Sequence, residues 1–285
     1  MGYIFMVTSA FFFCLMTVFV KIAGNQLPTM QIIFVRGLTT LLFTFFLIRK
    51  KKVFLWGKNK KILILRGIVG SVALLFVYES IQRFSLSEAT VIQYLFPIFT
   101  ALFATIFISE KIGKRLFYAI ILGFIGVYII LNFPFFNPDA SLNKLNVMIA
   151  VIGALLTGLA YVLVRLASNM KESPYVIMFY FPLFTVPLSF PFAFAEWISP
   201  GLNLWIILIL VGISTQLGQT FLTFGYKALP ASKAAPISYI QVPFAAISGM
   251  IIFGENITFN FLIGSVIIFF SILLLINVSD KNKKK

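Results

Sequence analysis

Two short groups of residues, about half the chain apart, each place a phenol and a carboxamide shortly before a proline. They are Gln93, Tyr94 and Pro97, and Tyr239, Gln241 and Pro243. A proline inside a helix removes a backbone donor and frees the carbonyl one turn earlier. In a membrane such a carbonyl is tolerated where it faces protein or a water-filled cavity. The pattern predicts a binding site for a polar solute. A pair of structural kinks with interfacial tyrosines is the alternative.

Two charged residues interrupt apolar runs and could pair with a charged solute. Arg36 costs on the order of 2.5–3.5 kcal/mol at a bilayer centre, so we expect it to snorkel outwards or to meet an anionic group. Glu79 could bind a cation or carry a proton. Its alternative is an ion pair with Arg83 at helical i+4 spacing, which contributes only a few tenths of a kcal/mol.

Neutral polar side chains complete the set of candidate substrate-binding residues. Amides and phenols within hydrocarbon need hydrogen-bond partners, which either a solute or a neighbouring helix could supply. Gln216 and Gln219 are three positions apart, so they share one helix face. The further candidates are Tyr78, beside Glu79, and Tyr161.

The composition argues against catalysis and for a membrane. Hydrophobic residues make up 60% and charged residues 11% of the 285 residues, and the mean hydropathy is +1.03. Soluble domains carry roughly 25% charged residues. The chain contains no histidine, no Gly-rich phosphate loop and no paired carboxylates for magnesium. We therefore expect no enzyme, no cofactor and no metal. The cations fall in short loops, which argues against nucleic acid as a partner.

Apolar stretches long enough to cross a bilayer, about 17–25 residues each, fill nearly the whole chain. Ten spans are predicted, at residues 3–22, 31–48, 62–81, 89–108, 116–132, 145–164, 175–194, 202–224, 231–253 and 259–277. Of the 23 Lys and Arg residues, all but five lie in the loops and tail of one side. Lys21, Arg83 and Lys144 lie on the other side, and Arg36 and Arg66 lie within or at the edge of spans. Because cytoplasmic loops are rich in cations, both termini are predicted to be cytoplasmic.

The chain resembles itself at half its length. The segment from Leu15 to Ala23 reappears 144 positions later as Leu159 to Ala167. The residues Ser87, Ala89 and Tyr94 reappear 145 positions later as Ser232, Ala234 and Tyr239. We therefore divide the chain into repeats at residues 1–143 and 144–285. Five spans is an odd number, so the second repeat enters from the opposite side and the fold is predicted to be two inverted five-helix repeats.

Several motifs resemble a known family. They are Arg66-Gly67-Ile68-Val69-Gly70-Ser71, the run from Phe84 to Ile92, Pro97-Ile98-Phe99-Thr100, Ser109-Glu110-Lys111, Ala234-Ala235-Pro236, Pro243-Phe244-Ala245-Ala246 and Gly254-Glu255. This order resembles the EamA branch of the drug/metabolite transporter superfamily. The Arg-Gly start of the third span is most similar to the subset that includes bacterial S-adenosylmethionine uptake carriers.

The resemblance implies ten helices around a central cavity and transport of a small metabolite. We predict a secondary active transporter that moves a small polar or amphipathic solute across a bacterial cytoplasmic membrane by alternating access. Pro97 and Pro243 are the predicted kinks. Expected partners are the solute, the lipid bilayer and a coupling proton or sodium ion, with monomer and homodimer both open. The alternatives are export of toxic organic cations and, less favoured, a channel or membrane scaffold.

Overall fold

The described residues form α-helices joined by short connections, without a β-strand among them. The structure is a computed structural model that describes residues 1–83, 92–130, 133, 144–254 and 258–281. In chain order its α-helices are α1 (Gly2–Gly24), α2 (Thr29–Lys50), α3 (Lys60–Arg83), α4 (Phe96–Ile108), α5 (Lys114–Ile130), α6 (Lys144–Asn169), α7 (Pro174–Ala195), α8 (Leu202–Ala228), α9 (Ala231–Ile237), α10 (Gln241–Phe253) and α11 (Phe259–Lys281). A 3₁₀ turn, Ser238–Ile240, joins α9 to α10.

Most of these helices are apolar over a membrane-spanning length. Seven segments of the described chain are long and apolar enough to cross a bilayer: α1, α2, α3, α6, α7, α8 and the segment Ala231–Phe253. The segments Phe96–Ile108 and Phe259–Leu274 are apolar but shorter. The start of the fourth predicted span, at Ala89, and the end of the fifth, at Asn132, lie outside the described residues.

The helix bounds themselves repeat along the chain. Helix α7 begins and ends 145 positions after α2, and α10 begins and ends 145 positions after α4. The residue that follows α4, Ser109, and the residue that follows α10, Gly254, both adopt the left-handed conformation, with φ of 56° and 68°. The two parts of the sequence therefore fold locally in the same way.

The fourth and ninth predicted spans are interrupted rather than continuous helices. Tyr94 and Leu95 form a turn directly before α4, and the 3₁₀ turn Ser238–Ile240 precedes α10. Pro97 lies at the start of α4, where its missing N–H would have had no partner. Pro243 is the third residue of α10 and removes the bond that the Tyr239 carbonyl would accept. The prolines thus begin new helical segments.

The helices form two compact units. Unit 1 comprises Met1–Val72 and Leu163–Ala228, and unit 2 comprises Ala73–Val162 and Leu229–Lys285. Each unit therefore contains residues from both parts of the sequence, and α3 and α6 each contribute residues to both units. Contacts distant in sequence define these units, and a comparison of the sequence with itself does not reveal such contacts.

Unit 1 is held by apolar packing and by buried polar ties between its helices. Its core includes Ile32, Val35, Leu208 and Val211, from α2 and α8. The tying hydrogen bonds are Ser9 Oγ to the Gly218 carbonyl at 2.8 Å, Ser71 Oγ with Thr185 Oγ1 at 2.8 Å, and both Gln31 amide atoms with the Ile198 backbone at 2.7 and 3.1 Å. These side chains find hydrogen-bond partners on the backbone or the hydroxyl of a neighbouring segment, as buried polar groups in an apolar medium require.

Unit 2 brings α5 and α11 together through two glycines. A Cβ at Gly264 would lie 2.5 Å from the Gly126 carbonyl oxygen, and a Cβ at Gly126 would lie 2.8 Å from the Gly264 carbonyl oxygen. Ser271 Oγ donates to the Ala119 carbonyl at 2.6 Å along the same pair of helices. Small residues let the two backbones touch, and the resulting dispersion contacts and hydrogen bonds stabilise the helix pair in a membrane.

The Gly264→Ala variant should be destabilised by about 1–3 kcal/mol, because the new methyl group must push two backbones apart. The substitution gains about 1 kcal/mol of helix propensity, so steric overlap has to exceed that gain. Gly24→Ala is the matched control, since a Cβ there meets nothing within 4 Å. Thermal unfolding in detergent measures both variants, and equal melting temperatures would contradict the close packing of α5 on α11.

Candidate functional site

Four aromatic rings meet in unit 2, beside the two interrupted spans. The ring centroids of Tyr94 and Tyr239 are 5.8 Å apart, those of Tyr94 and Phe96 are 6.0 Å apart, and Phe96 meets Tyr161 edge-on at 5.3 Å. These separations are typical of favourable aromatic pairs. Three of the four residues were candidates from sequence. The structure therefore brings together residues from three separate stretches of the chain as one aromatic cluster.

The helix interruptions position this cluster. Tyr94 lies in the turn before α4, and Phe96 is the first residue of α4. Tyr239 lies in the 3₁₀ turn before α10. Tyr161 comes from α6, whose glycine at position 158 lies against Phe96 and Phe99 closely enough that a Cβ would overlap them. Both interruptions thus present a tyrosine from non-α-helical backbone to the same cluster.

The hydroxyl of Tyr239 is the unusual group of the cluster. Tyr239 is fully buried, and its Oη has no hydrogen-bond partner among the described residues. Its ring packs so closely on Gly123 of α5 that any side chain at that position would overlap it. A buried hydroxyl left unpaired costs about 1–3 kcal/mol. The ring is thus firmly placed, while the hydroxyl is suited to receive a partner.

Two amides of the same unit are near the cluster tyrosines in sequence. Gln93 Nε2 donates to Thr157 Oγ1 at 3.4 Å, and Thr157 Oγ1 in turn donates to the Gly153 carbonyl at 2.8 Å. Gln241, the first residue of α10, is half-buried and makes no side-chain hydrogen bond to the described residues. Two residues after Tyr239, Gln241 is therefore an amide of unit 2 whose side chain makes no hydrogen bond to the described residues.

Unit 1 contains three of the sequence-predicted site residues. Arg36 is 5% exposed, and its Nη1 donates to the Met16 sulfur at 3.6 Å. Gln216 is buried, and its Oε1 accepts a hydrogen bond from Thr44 Oγ1 at 2.9 Å. The Gln216 amide thus ties α8 to α2, which is the helix-pairing alternative for this residue. Gln219 is half-buried and makes no side-chain hydrogen bond within the described chain.

The charged candidate of unit 2 forms the ion pair that its spacing allowed. Arg83 Nη2 lies 3.1 Å from Glu79 Oε2, with both side chains about two-fifths exposed. Arg83 Nη1 also donates to Asn146 Oδ1 at 3.4 Å. Tyr78, the neighbour of Glu79, is buried. Glu79 is thus a paired but accessible carboxylate, and its ion pair must open before the carboxylate can bind a solute cation.

Several contacts around the candidate site were not predicted from the sequence. Phe96 carried no signal among 35 phenylalanines, although it precedes Pro97 directly. Thr157 could have been found, because it is one turn from Tyr161 on α6. Glu110, in the Ser109-Glu110-Lys111 motif, accepts hydrogen bonds from the N–H groups of Ala231 and Ser232 at the start of α9, at 2.9 and 3.0 Å. Its repeat-related Glu255 lies outside the described residues.

Seven described segments with the length and apolarity to cross a bilayer indicate a multi-pass membrane protein. The sequence profile of the EamA-like transporter family matches residues 1–132 and, a second time, residues 144–277. The chain belongs to the EamA-like transporter family. The predicted family resemblance is thereby confirmed, and membership marks the chain as a transporter of small solutes.

Named relatives cover most of the chain. It is 27% identical to the pseudopaline exporter of Pseudomonas aeruginosa over 89% of this chain and 88% of that protein. It is 31% identical to human solute carrier family 35 member G1 over 90% and 73% of the two chains. It is 28% identical to an S-adenosylmethionine uptake transporter of Rickettsia bellii over 93% and 89%. A crystal structure with 12% identity superposes with a TM-score of 0.82 over 98% of both chains, which shows a shared fold.

Proposed function

We propose that the protein is a secondary active transporter that moves a small polar or amphipathic metabolite across the cytoplasmic membrane of a bacterium by alternating access. An amino acid, an S-adenosylmethionine-like solute or a related metabolite is the proposed substrate class. The aromatic cluster of unit 2 carries this proposal, because its buried Tyr239 hydroxyl has no hydrogen-bond partner among the described residues. A solute oxygen or nitrogen would supply that partner, and the rings of Tyr94, Phe96 and Tyr161 would cover apolar parts of the solute.

The proposed architecture is ten spans in two inverted five-helix repeats, with both termini cytoplasmic. The repeat of helix bounds at 145 positions and the two matches to the family profile support a duplication at residues 1–143 and 144–285. An odd number of spans in each repeat would invert the second one. Inverted repeats suit alternating access, since the two gates can exchange roles by symmetry.

The remaining predicted site residues take defined roles in this proposal. Gln93 and Gln241 would orient the polar part of the solute, while Arg36 and Glu79 are the candidate charge-pairing groups. Gln216 and Gln219 remain proposed solute contacts, although Gln216 already ties two helices of unit 1. A proton or sodium gradient, or exchange with a second solute, would drive transport, and the relatives include both an exporter and an uptake carrier.

Export of toxic organic cations is the second candidate, and the four-ring cluster favours it. Aromatic faces attract a cation by about 0.5–2 kcal/mol each, with larger values where water is excluded. A channel or scaffold has no such supporting observation. Neutral and cationic solutes therefore belong in the same screen.

A thermal-shift screen of metabolites on the purified protein tests the proposal. A solute at about 100 times its dissociation constant should stabilise the protein by roughly 2.7 kcal/mol. The panel should contain zwitterions, sulfonium compounds and quaternary amines, so that the two candidates separate. A full panel without a stabilising compound would contradict a metabolite site at the aromatic cluster.

The Glu79→Gln variant should keep its stability and lose pH-driven uptake. Its ion pair with Arg83 is exposed, and such a pair contributes about 0–1 kcal/mol to folding. An amide cannot carry a proton, so the variant would lack the group that Glu79 would provide in a proton-driven transporter. Glu196→Gln, at an exposed carboxylate in unit 1, is the matched control. Uptake driven by a pH gradient in proteoliposomes measures the effect, and unchanged uptake would remove Glu79 from the mechanism.

A further inference from the structure

The loop between α2 and α3 combines positive charge with exposed aromatic rings. We call residues 49–61, which include the last two residues of α2 and the first two of α3, the basic loop. Its cations are Arg49, Lys50, Lys51, Lys52, Lys58, Lys60 and Lys61, and all of them are exposed. Phe54 and Trp56 are 67% and 46% exposed. The sequence of the loop contains no aspartate or glutamate. It therefore presents cationic and apolar groups together, with no carboxylate of its own.

The first part of the basic loop is fixed by the way α2 ends. Lys52 adopts the left-handed conformation, with φ of 53°. The Lys52 N–H donates to the Arg49 carbonyl and the Val53 N–H to the Ile48 carbonyl, both at 3.1 Å. This pair of bonds is a Schellman motif, which satisfies the last carbonyls of a helix. Three consecutive lysines are thus displayed on ordered backbone.

The second part of the basic loop is tied to a buried carboxylate. Glu172 is 5% exposed, and its Oε1 accepts hydrogen bonds from the Lys58 N–H at 2.9 Å, the Asn59 N–H at 2.6 Å and Asn59 Nδ2 at 2.8 Å. The Tyr180 hydroxyl donates to the Trp56 carbonyl at 3.0 Å. Because these bonds hold the backbone, Trp56 keeps its indole partly exposed at a defined place.

The cation excess of cytoplasmic loops would explain the lysines of this loop. It would not explain why the backbone of the loop is ordered or why two aromatic rings are exposed on it. Tryptophan favours the headgroup level of a bilayer, where its ring is buried and its N–H is solvated. Lysines near an anionic leaflet are attracted to its phosphates. Glu172 is buried on backbone donors, so it is poorly placed to neutralise the exposed lysines. Charge and ring placement are therefore both complementary to an anionic lipid surface.

We propose that the basic loop binds anionic phospholipid headgroups of the leaflet that it faces. In this assignment the lysines contact the phosphodiester and glycerol headgroups, and Phe54 and Trp56 insert at the boundary between headgroups and acyl chains. The binding concerns the lipid surroundings of the transporter and is independent of the solute that it moves. It predicts that phosphatidylglycerol collects beside Trp56 in preference to phosphatidylcholine.

Quenching of Trp56 by brominated lipid tests this assignment without a transport assay. Trp197→Phe and Trp205→Phe leave Trp56 as the single tryptophan of the 285-residue chain. The protein is reconstituted into phosphatidylcholine vesicles that contain roughly 20 mol% of either brominated phosphatidylglycerol or brominated phosphatidylcholine. We expect the phosphatidylglycerol to be enriched beside Trp56 at least about threefold, since each nearby lysine contributes on the order of a fivefold preference. Equal quenching by the two lipids would overturn the proposal.

Charge variants separate binding by this loop from the charge of the whole protein. Neutralising Lys50, Lys51 and Lys52 together as Gln should abolish the preference. Neutralising Lys111, Lys114 and Arg115 as Gln removes the same charge from another exposed segment and should leave the preference intact. In the unaltered loop, about 0.5 M salt should reduce the preference, because ionic screening then acts within a few Å. If both triple variants lost the preference for phosphatidylglycerol, or if both kept it, the result would contradict a site in the basic loop.

Discussion

The Tyr239→Phe variant should be as stable as the unaltered protein or more stable, and it should bind its solute about tenfold more weakly. The Tyr239 hydroxyl is buried and has no hydrogen-bond partner among the described residues, so its removal relieves a desolvation cost in the solute-free protein. In the complex the same hydroxyl is proposed to bond the solute, and that bond is lost. Stability and affinity should therefore move in opposite directions, which a merely structural residue does not produce.

Tyr180→Phe is the matched control for this experiment. Tyr180 is also buried, but its hydroxyl donates to the Trp56 carbonyl at 3.0 Å. Its removal should lower stability by about 0.5–1.5 kcal/mol and leave solute affinity unchanged. Thermal unfolding gives the stabilities, and titration with the best compound of the metabolite screen gives the affinities. Unchanged solute affinity in Tyr239→Phe would place the binding site elsewhere.

The second large effect concerns two glutamates that hold backbone donors in different ways. Glu110 uses both carboxylate oxygens: Oε1 accepts from the Ala231 N–H, and Oε2 accepts from the Ser232 N–H and hydroxyl. Glu172 uses Oε1 alone for its three donors from Lys58 and Asn59. A glutamine keeps one acceptor oxygen and replaces the other by an NH₂ group. In Glu110→Gln the new NH₂ group must therefore face a backbone N–H, which is also a donor. In Glu172→Gln the NH₂ group can replace Oε2, which accepts none of the three hydrogen bonds.

We expect Glu110→Gln to cost about 2–3 kcal/mol, because hydrogen bonds to charged groups contribute roughly 1.5–3 kcal/mol each and at least one is replaced by a repulsive contact. We expect Glu172→Gln to cost about 1 kcal/mol or less, because the remaining oxygen can accept all three hydrogen bonds. The alanine variants remove every acceptor, so both should be strongly destabilised and serve as the upper limit of the series. Thermal unfolding of all four variants in one detergent measures the order. Equal losses for the two glutamine variants would contradict the different use of the two carboxylates.

Much of the local structure could be predicted from the sequence, because it depends on neighbouring residues. Prolines at 97 and 243 indicated where two spans would be interrupted, and the structure has turns directly before α4 and α10. The 144–145-residue repeat in the sequence is matched by helix bounds that repeat at 145 positions. Apolar run lengths located the long helices within a few residues.

Long-range pairing could not be predicted, because it depends on which helices meet. Nothing near Glu110 indicates that its partners are Ala231 and Ser232, 121 and 122 positions away. Gln216 looked like a solute contact, but its satisfaction by Thr44 depends on the packing of α8 on α2. The combination of both repeats within each compact unit has the same origin. The repeat relates Tyr94 to Tyr239 in the sequence, and their ring centroids are 5.8 Å apart in the structure.

Counterflow in proteoliposomes tests the central claim, that this chain is a carrier, most directly. Vesicles are loaded with the unlabelled compound that stabilises the protein most, and labelled compound is added outside in trace amount. A carrier predicts that the label accumulates transiently above its equilibrium level and that the initial rate saturates with concentration. Label that only equilibrates, at a rate proportional to concentration, would instead show a channel, and label that never enters would contradict transport of that solute.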